Sequence, residues 1–244
     1  MASARAIGEE ITVFSYDNHA KLSRQLGCEV ADAATIFARD QLCENSWPHF
    51  SDHFRLEGIE RGLGTWTDLD VIFVRPLPAT DYVFGWQNDK RLGNSVLRLP
   101  RDSELLQSYL AFCRERPLRK YVMPWMPWYT KCGRIAKAAL GAVSGARVPA
   151  AKYGPAAFTY FAERCGADRF AFQPEVLYPL AIEEKAIARA YEPGYLESLI
   201  RPETVCVHLW HSTFAGIHGL QYPKQGWLAE RANALLSKPP AAVA

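Results

Sequence analysis

The segment Asp68-Leu69-Asp70-Val71-Ile72-Phe73-Val74 constrains this chain more than any other. Two carboxylates one residue apart stand directly before an apolar, β-branched run. Gly62 and Gly64 precede them, and Pro76 closes the run. This pattern predicts a short buried strand with both acids at its mouth. In an extended chain residues i and i+2 point the same way, so the carboxylates converge, and two such anions repel unless a cation lies between them. A hard divalent ion suits that place, because magnesium and manganese take oxygen ligands and keep positions open for substrate phosphates. On the tripeptide alone, solvated acids ending a loop remain the competing reading.

Elements on either side of the acids are legible to different degrees. Ile11 to Tyr16 is β-branched and aromatic and reads as a strand running into Asp17-Asn18. A helix starts near Ser46, with Pro48 in its first turn, and runs to about Arg61. On it Asp52 and Arg55 share one face, and Phe50 and Phe54 share another; spacing alone fits an ordinary ion pair above a core stripe. Tyr82–Trp86 and Ser95–Leu99 read as strands joined by a polar loop, Gln87 to Gly93. Asp102 to Arg116 places Leu105, Leu106, Tyr109, Leu110 and Cys113 at helical spacing before Pro117.

The later half is more aromatic. Tyr121 to Tyr129 is too rich in proline for a helix and too aromatic for a solvated loop. Trp125 and Trp128 either plug the core or offer flat faces to a sugar acceptor or a lipid tail. Lys131, Arg134 and Lys137, on a following helix, are placed either to meet acidic headgroups or simply to be solvated. Gly154-Pro155 opens a helix that ends at Cys165-Gly166. Phe170–Phe172 and Leu177–Pro179 read as short extended pieces, Thr204 to Trp210 as a final strand, Trp227 to Leu236 as a closing helix, and residues 238–244 as a frayed tail.

At 244 residues and 49% hydrophobic, the chain is expected to form one domain, 1–244, with a substantial core. Its 28 basic and 26 acidic residues leave a net charge of +2, too balanced to point to nucleic acid. Six cysteines fall without zinc-type spacing. The first residues have no apolar run of signal-peptide type, and no stretch approaches the ~20 apolar residues of a membrane span. A cytoplasmic location, with possible peripheral contact at the inner membrane face, is the expectation.

Taken together, Phe50-Ser-Asp-His-Phe-Arg55, Gly64-Thr-Trp-Thr-Asp-Leu-Asp70, Val71-Ile-Phe-Val-Arg-Pro-Leu77, Asn94-Ser-Val-Leu-Arg-Leu-Pro100, Gly154-Pro155 and His208-Leu-Trp210 resemble, in order, one family. It is the Asp-x-Asp sugar-binding-region group of glycosyltransferases, which includes yeast mannosyltransferases, alpha-1,4-galactosyltransferases and the glucosylating clostridial toxins. The likeness spans roughly Ile11 to Trp210. It implies an α/β GT-A-like nucleotide-diphospho-sugar transferase fold, with a mixed central sheet flanked by helices. The implied reaction is metal-dependent transfer of a hexose from a nucleotide sugar, UDP-linked, to a glycan, lipid-linked or other hydroxyl acceptor. Manganese or magnesium would be the cofactor, and the family's place in polysaccharide biosynthesis comes with it.

By the same resemblance Asp70 binds the metal, Asp68 orients donor hydroxyls and completes the metal shell, and His208 supplies a late ligand. Asp52, Arg55, Trp66, Asp68, Asn94 and Gly154 surround the donor; Asp68, Asp70 and Arg55 carry the catalysis; Trp125 and Trp128 are acceptor candidates. His211 stands where the family often has Asn, so either His208 or His211 faces the metal. No general base stands out, which fits retention better than inversion. A degenerate module that binds sugar nucleotides or glycans without turnover is the alternative. A phosphatase using Asp68 as nucleophile would need its apolar strand before the acids. The family begins with a strand and helix ahead of the segment matching Ile11. Here that strand is missing, which would leave a gap of about 9–10 Å in a GT-A sheet and suggests a start placed too late.

Overall fold

The computed structural model describes residues 1–39, 47–114, 123–139, 153–190, 192–211, 213 and 225–236. Its strands are β1 (Thr12–Ser15), β2 (Glu29–Asp32), β3 (Trp66–Thr67), β4 (Val71–Phe73), β5 (Val83–Asn88), β6 (Arg91–Arg98) and β7 (Cys206–His208). Its helices are α1 (Ala2–Ala6), α2 (His19–Leu26), α3 (Trp47–Glu60), α4 (Glu104–Arg114), α5 (Trp128–Ala139), α6 (Pro155–Arg164), α7 (Pro174–Leu177), α8 (Glu184–Arg189), α9 (Tyr195–Leu199) and α10 (Trp227–Leu236).

The class is mixed α/β, but among the described residues the strands form three separate ladders rather than one central sheet. β1 and β2 pair in parallel; β3, β6 and β5 form an antiparallel triplet; β4 and β7 form an antiparallel pair. The outer edge of β4 explains part of the break. Phe73 turns its backbone away from β7, and side chains take both its polar groups. Its N–H donates to Ser3 Oγ at 3.1 Å, and its carbonyl accepts from Arg231 at 3.1 Å. Leu77 N–H is met in the same way by Glu9 at 3.3 Å. Edge groups satisfied by α1 and α10 need no further strand. Ahead of Ile11, Ala2–Ala6 thus form a short helix packed against β4 and α10.

Other boundaries move for local reasons. The Gln87–Gly93 loop shrinks to a turn at Asp89-Lys90, because Asn88 Oδ1 accepts the Lys90 N–H at 3.0 Å and lets β5 and β6 pair up to Asn88 and Arg91. Of the two stretches expected to be extended, Phe170–Phe172 starts on the last residue of a 3-10 turn (Asp168–Phe170) and then extends to a bridge between Phe172 and Gly85, while Leu177–Pro179 starts on the last residue of a helix opened by Pro174. Ser46, the expected cap of α3, and the tail 238–244 lie outside the described residues.

Two cores lie on either side of β6, a strand buried along most of its length. Leu92 and Leu97 pack with Leu56 of α3, Leu106 and Tyr109 of α4 and Phe158 of α6. Val96 packs the other way, with Val71, Phe73, Leu177, Val207 and Leu228. Each such fully buried side chain contributes about 1.5–3 kcal/mol. Gly93 sits where the cores meet: a Cβ there would lie 2.3 Å from Tyr178 Cζ, so only glycine lets that buried ring close over the strand. β6 therefore becomes a fixed rail, and its central residues Asn94 and Ser95 are the floor on which the acids are set.

Candidate functional site

Asp68 and Asp70 converge, though not as alternating residues of a strand. The segment between β3 and β4 is a tight turn in which the Val71 N–H reaches back to the Asp68 carbonyl at 3.3 Å. Both ends of the turn are anchored. The Asp68 N–H donates to Ser95 O of β6 at 2.7 Å, and the Asp70 carbonyl accepts the Leu209 N–H at 2.9 Å. Leu69, between them, is 80% exposed, so the turn pushes its apolar side chain out and folds both carboxylates inward.

The strand pairing brings in the histidine. Val71 stands opposite His208 in the β4–β7 ladder, and His208 Nε2 lies 3.2 Å from Asp70 Oδ1. One carboxylate oxygen each from Asp68 and Asp70 and one ring nitrogen of His208 lie within 4.8 Å of one another. His211 plays a different part: its backbone N–H donates to Asp70 Oδ2 at 2.8 Å, while the residue itself is exposed. That amide points inward because the chain reverses at Trp210, a bulky residue at φ +53°. Such a conformation is costly and needs support, which comes from Trp210 Nε1 donating to Leu180 O at 2.8 Å and from a ring contact with His208 at 4.1 Å. Burial works against ionising Asp70, but the His208 ring and the His211 amide outweigh it and hold the carboxyl below its ordinary range.

A second charged layer lies under the first. Arg55, 4% exposed on α3, places Nη2 3.4 Å from Asp52 Oδ1 and 3.4 Å from Asp68 Oδ1, and it donates to Asn94 O and to Ser51. Its guanidinium lies 5.2 Å from the Trp66 ring centroid, and Trp66 Nε1 donates to Asp68 Oδ1 at 2.7 Å. Burial disfavours the Arg55 cation, yet Asp68 and Asp52 more than offset this and keep it charged. Asp52 accepts from Asn94 Nδ2 at 3.0 Å. Burial dominates there, and the carboxyl is pushed up to about 6 despite Arg55 and Asn94. Gly154 leaves room for this group: a Cβ would stand 3.0 Å from Asp52 Oδ2. The Asp52–Arg55 ion pair expected from spacing therefore forms, but it is buried and faces the acids.

Asp52 and Asp68 share the Arg55 guanidinium, and Asp70 is met by the His208 ring, so with that imidazole neutral three ionised carboxylates stand against one fixed positive charge. A divalent cation would balance them. The donor set fits manganese or magnesium, with the imidazole favouring manganese as the softer of the two. Two residues that hold the cluster gave no sequence signal of function. Ser95 places Oγ 3.3 Å from His208 Nε2 and receives the Asp68 N–H on its carbonyl, while its own N–H donates to Tyr178 Oη at 3.1 Å. A serine inside a strand and a tyrosine before Pro179 look like scaffold until the chain is folded. The two acceptor candidates separate: Trp125 packs on Phe112 and Tyr160, both at 5.6 Å, whereas Trp128 is 76% exposed.

Comparison with models of known families, with curated proteins and with solved structures finds no match for this chain.

Proposed function

We propose that this chain is a metal-dependent glycosyltransferase that takes its sugar from a nucleotide diphosphate donor, UDP-linked in the first instance. The observation that carries the reading is the Asp68–Asp70–His208 cluster set directly against a buried, charge-paired arginine. Asp70 and His208 would hold the ion, with Asp68 shared between it and Arg55. Once bound, a manganese or magnesium ion neutralises charge developing on a departing diphosphate. Arg55 adds a fixed positive charge that needs no reorganisation, because Asp52, Asn94 and Ser51 already lock it. Asp52, Asn94 and Gly154 would form the wall that meets donor hydroxyls. Asp68 and Asp70 are held by donor groups and Asp52 is buried against Arg55 and Asn94, so no carboxylate lies open to deprotonate an acceptor, which favours retention of anomeric configuration.

The test is release of nucleoside diphosphate from a panel of UDP- and GDP-sugars, with manganese, with magnesium and with chelator. Release from one donor that requires the metal and vanishes in Asp70→Asn supports transfer. Tight, metal-dependent binding of a donor with no release would leave a sugar-nucleotide-binding module, and neither binding nor release would overturn the reading.

A further inference from the structure

An amphipathic helix of a globular protein turns its apolar stripe to the core, and α5 does the reverse. Trp128, Cys132 and Ile135 are four and three residues apart, so they form one stripe, and all three are exposed, Trp128 at 76% and Ile135 at 56%. Tyr129, 64% exposed, extends the same surface. Lys131 and Arg134 lie along one flank.

Charge is segregated around this helix. Residues 116–152 contain eight Lys and Arg and no Asp or Glu, out of 28 basic and 26 acidic in the chain; the remainder therefore has 20 basic against 26 acidic. Along the sequence, the positive charge of a near-neutral protein is thus concentrated in the stretch that contains α5. Aromatic rings with one polar edge, an apolar stripe and a basic flank are the combination that settles at a lipid headgroup boundary.

We propose that α5 is an interfacial helix that docks on the surface of an anionic lipid bilayer, with Trp128 and Ile135 entering the headgroup region and Lys131 and Arg134 lying against the phosphates. Nucleic acid would use the same charges and could stack on Trp128, but it leaves Cys132 and Ile135 without a role. Attachment through α5 is independent of what the metal centre does, and either can fail without the other.

The test uses the full chain without metal or donor, sedimented with vesicles of phosphatidylcholine alone or mixed with phosphatidylglycerol. Partition should be about tenfold or more stronger on the anionic vesicles and should weaken with salt. Lys131→Gln and Arg134→Gln should each cost about fivefold. Trp128→Ser with Ile135→Ser should abolish binding while the near-ultraviolet spectrum stays native. Should that variant not fold, brominated lipid serves instead: it should quench the unaltered chain and quench Trp128→Phe much less. Equal partition to both vesicles, none to either, or anionic binding that survives loss of the apolar pair and is displaced by duplex DNA would each overturn the proposal.

Discussion

Around Arg55 and Asp70, charged groups are taken largely out of water, and each is met by a partner fixed from another part of the chain. Asp68 is tied to Trp66, Arg55 and β6, Asp70 to His208 and the His211 amide, and Asp52 to Asn94. Along α5 the opposite holds: Trp128, Tyr129, Cys132 and Ile135 face outward beside basic residues. A buried charge is costly unless paired, so the first region is over-determined and its excess of two negative charges is a specific demand for a cation. The second region is cheap to build, and its apolar side chains stay exposed.

The largest effect should come from breaking the first region at its centre. Asp70→Asn should lower metal-dependent nucleoside diphosphate release by about 10²–10³-fold, the range for loss of a group that steadies transition-state charge. Manganese should raise the thermal midpoint of the unaltered chain, since it binds only the folded form, and should not do so in the variant. Without metal the variant's midpoint should move little, because the weakened bond to the His211 amide is offset by relief of like-charge repulsion. An unchanged response to manganese in calorimetry would remove Asp70 from the site.

Next in size is a steric change that never touches a charge. Gly93→Ala would put a methyl group 2.3 Å from the Tyr178 ring, which is buried and also accepts the Ser95 N–H. Overpacking at such a place costs about 1–3 kcal/mol or more. Because Ser95 holds both Asp68 and His208, manganese affinity should fall with stability. Denaturant unfolding together with metal titration checks both. A stable variant with weak metal binding would mean that the ring yields and the floor of the site moves with it.

How much of this was readable beforehand follows the range of the interactions. Asp68 and Asp70 are legible from their spacing before an apolar run, whereas Asp52 and Arg55 read on spacing alone as an ordinary ion pair, and their role and that of His208 come only from the resemblance of the ordered motifs. The segment that aims the acids reads as extended in sequence but is a turn, since its geometry is set by Ser95 and Leu209, which are remote in sequence. The break into three ladders was equally hidden. Nothing about Ser3 or Arg231 announces that they will take the backbone groups of Phe73. The outward stripe of α5 has the same spacing as an inward one, so only packing could tell them apart.

A third difference between the regions should appear on titration. The Asp52 carboxyl is raised from 3.8 to about 6, so between those values the folded chain holds a proton that the unfolded chain has released. Stability from this group is therefore greatest below about pH 4, falls as pH rises to about 6 and is flat above. A shift of this size corresponds to on the order of 2–3 kcal/mol. Glu57 has the opposite sign: burial opposes its ionisation, but His53 and Arg114 hold its carboxyl at about 2, so its contribution is present above pH 4.5 and lost toward pH 2. Between pH 4.5 and 6 the fall due to Asp52 should stand alone. Chemical unfolding in chelator across that window should show a slope that Asp52→Asn removes; a slope retained in the variant would assign it to another group.

The smallest effect tests whether α5 is as open as it looks. Gly133 lies inside the helix, is exposed, and an added Cβ would meet nothing within 4 Å. Where a helix interior is free of contacts, alanine in place of glycine removes backbone freedom from the unfolded chain and gains about 0.5–1 kcal/mol. In a chain of this length that raises the melting temperature by about 1–4 °C if α5 unfolds with the rest. Gly93→Ala and Gly133→Ala are thus the same chemical change with opposite expected signs, one against a closed wall and one into open space. Stabilisation by Gly133→Ala in solution, with unaltered binding to anionic vesicles, fits a helix whose exposed face carries the lipid contact on Trp128 and Ile135. Destabilisation would mean that something already covers Gly133 in the free protein, and the contrast between a sealed centre and an open helix would then fail on its second half.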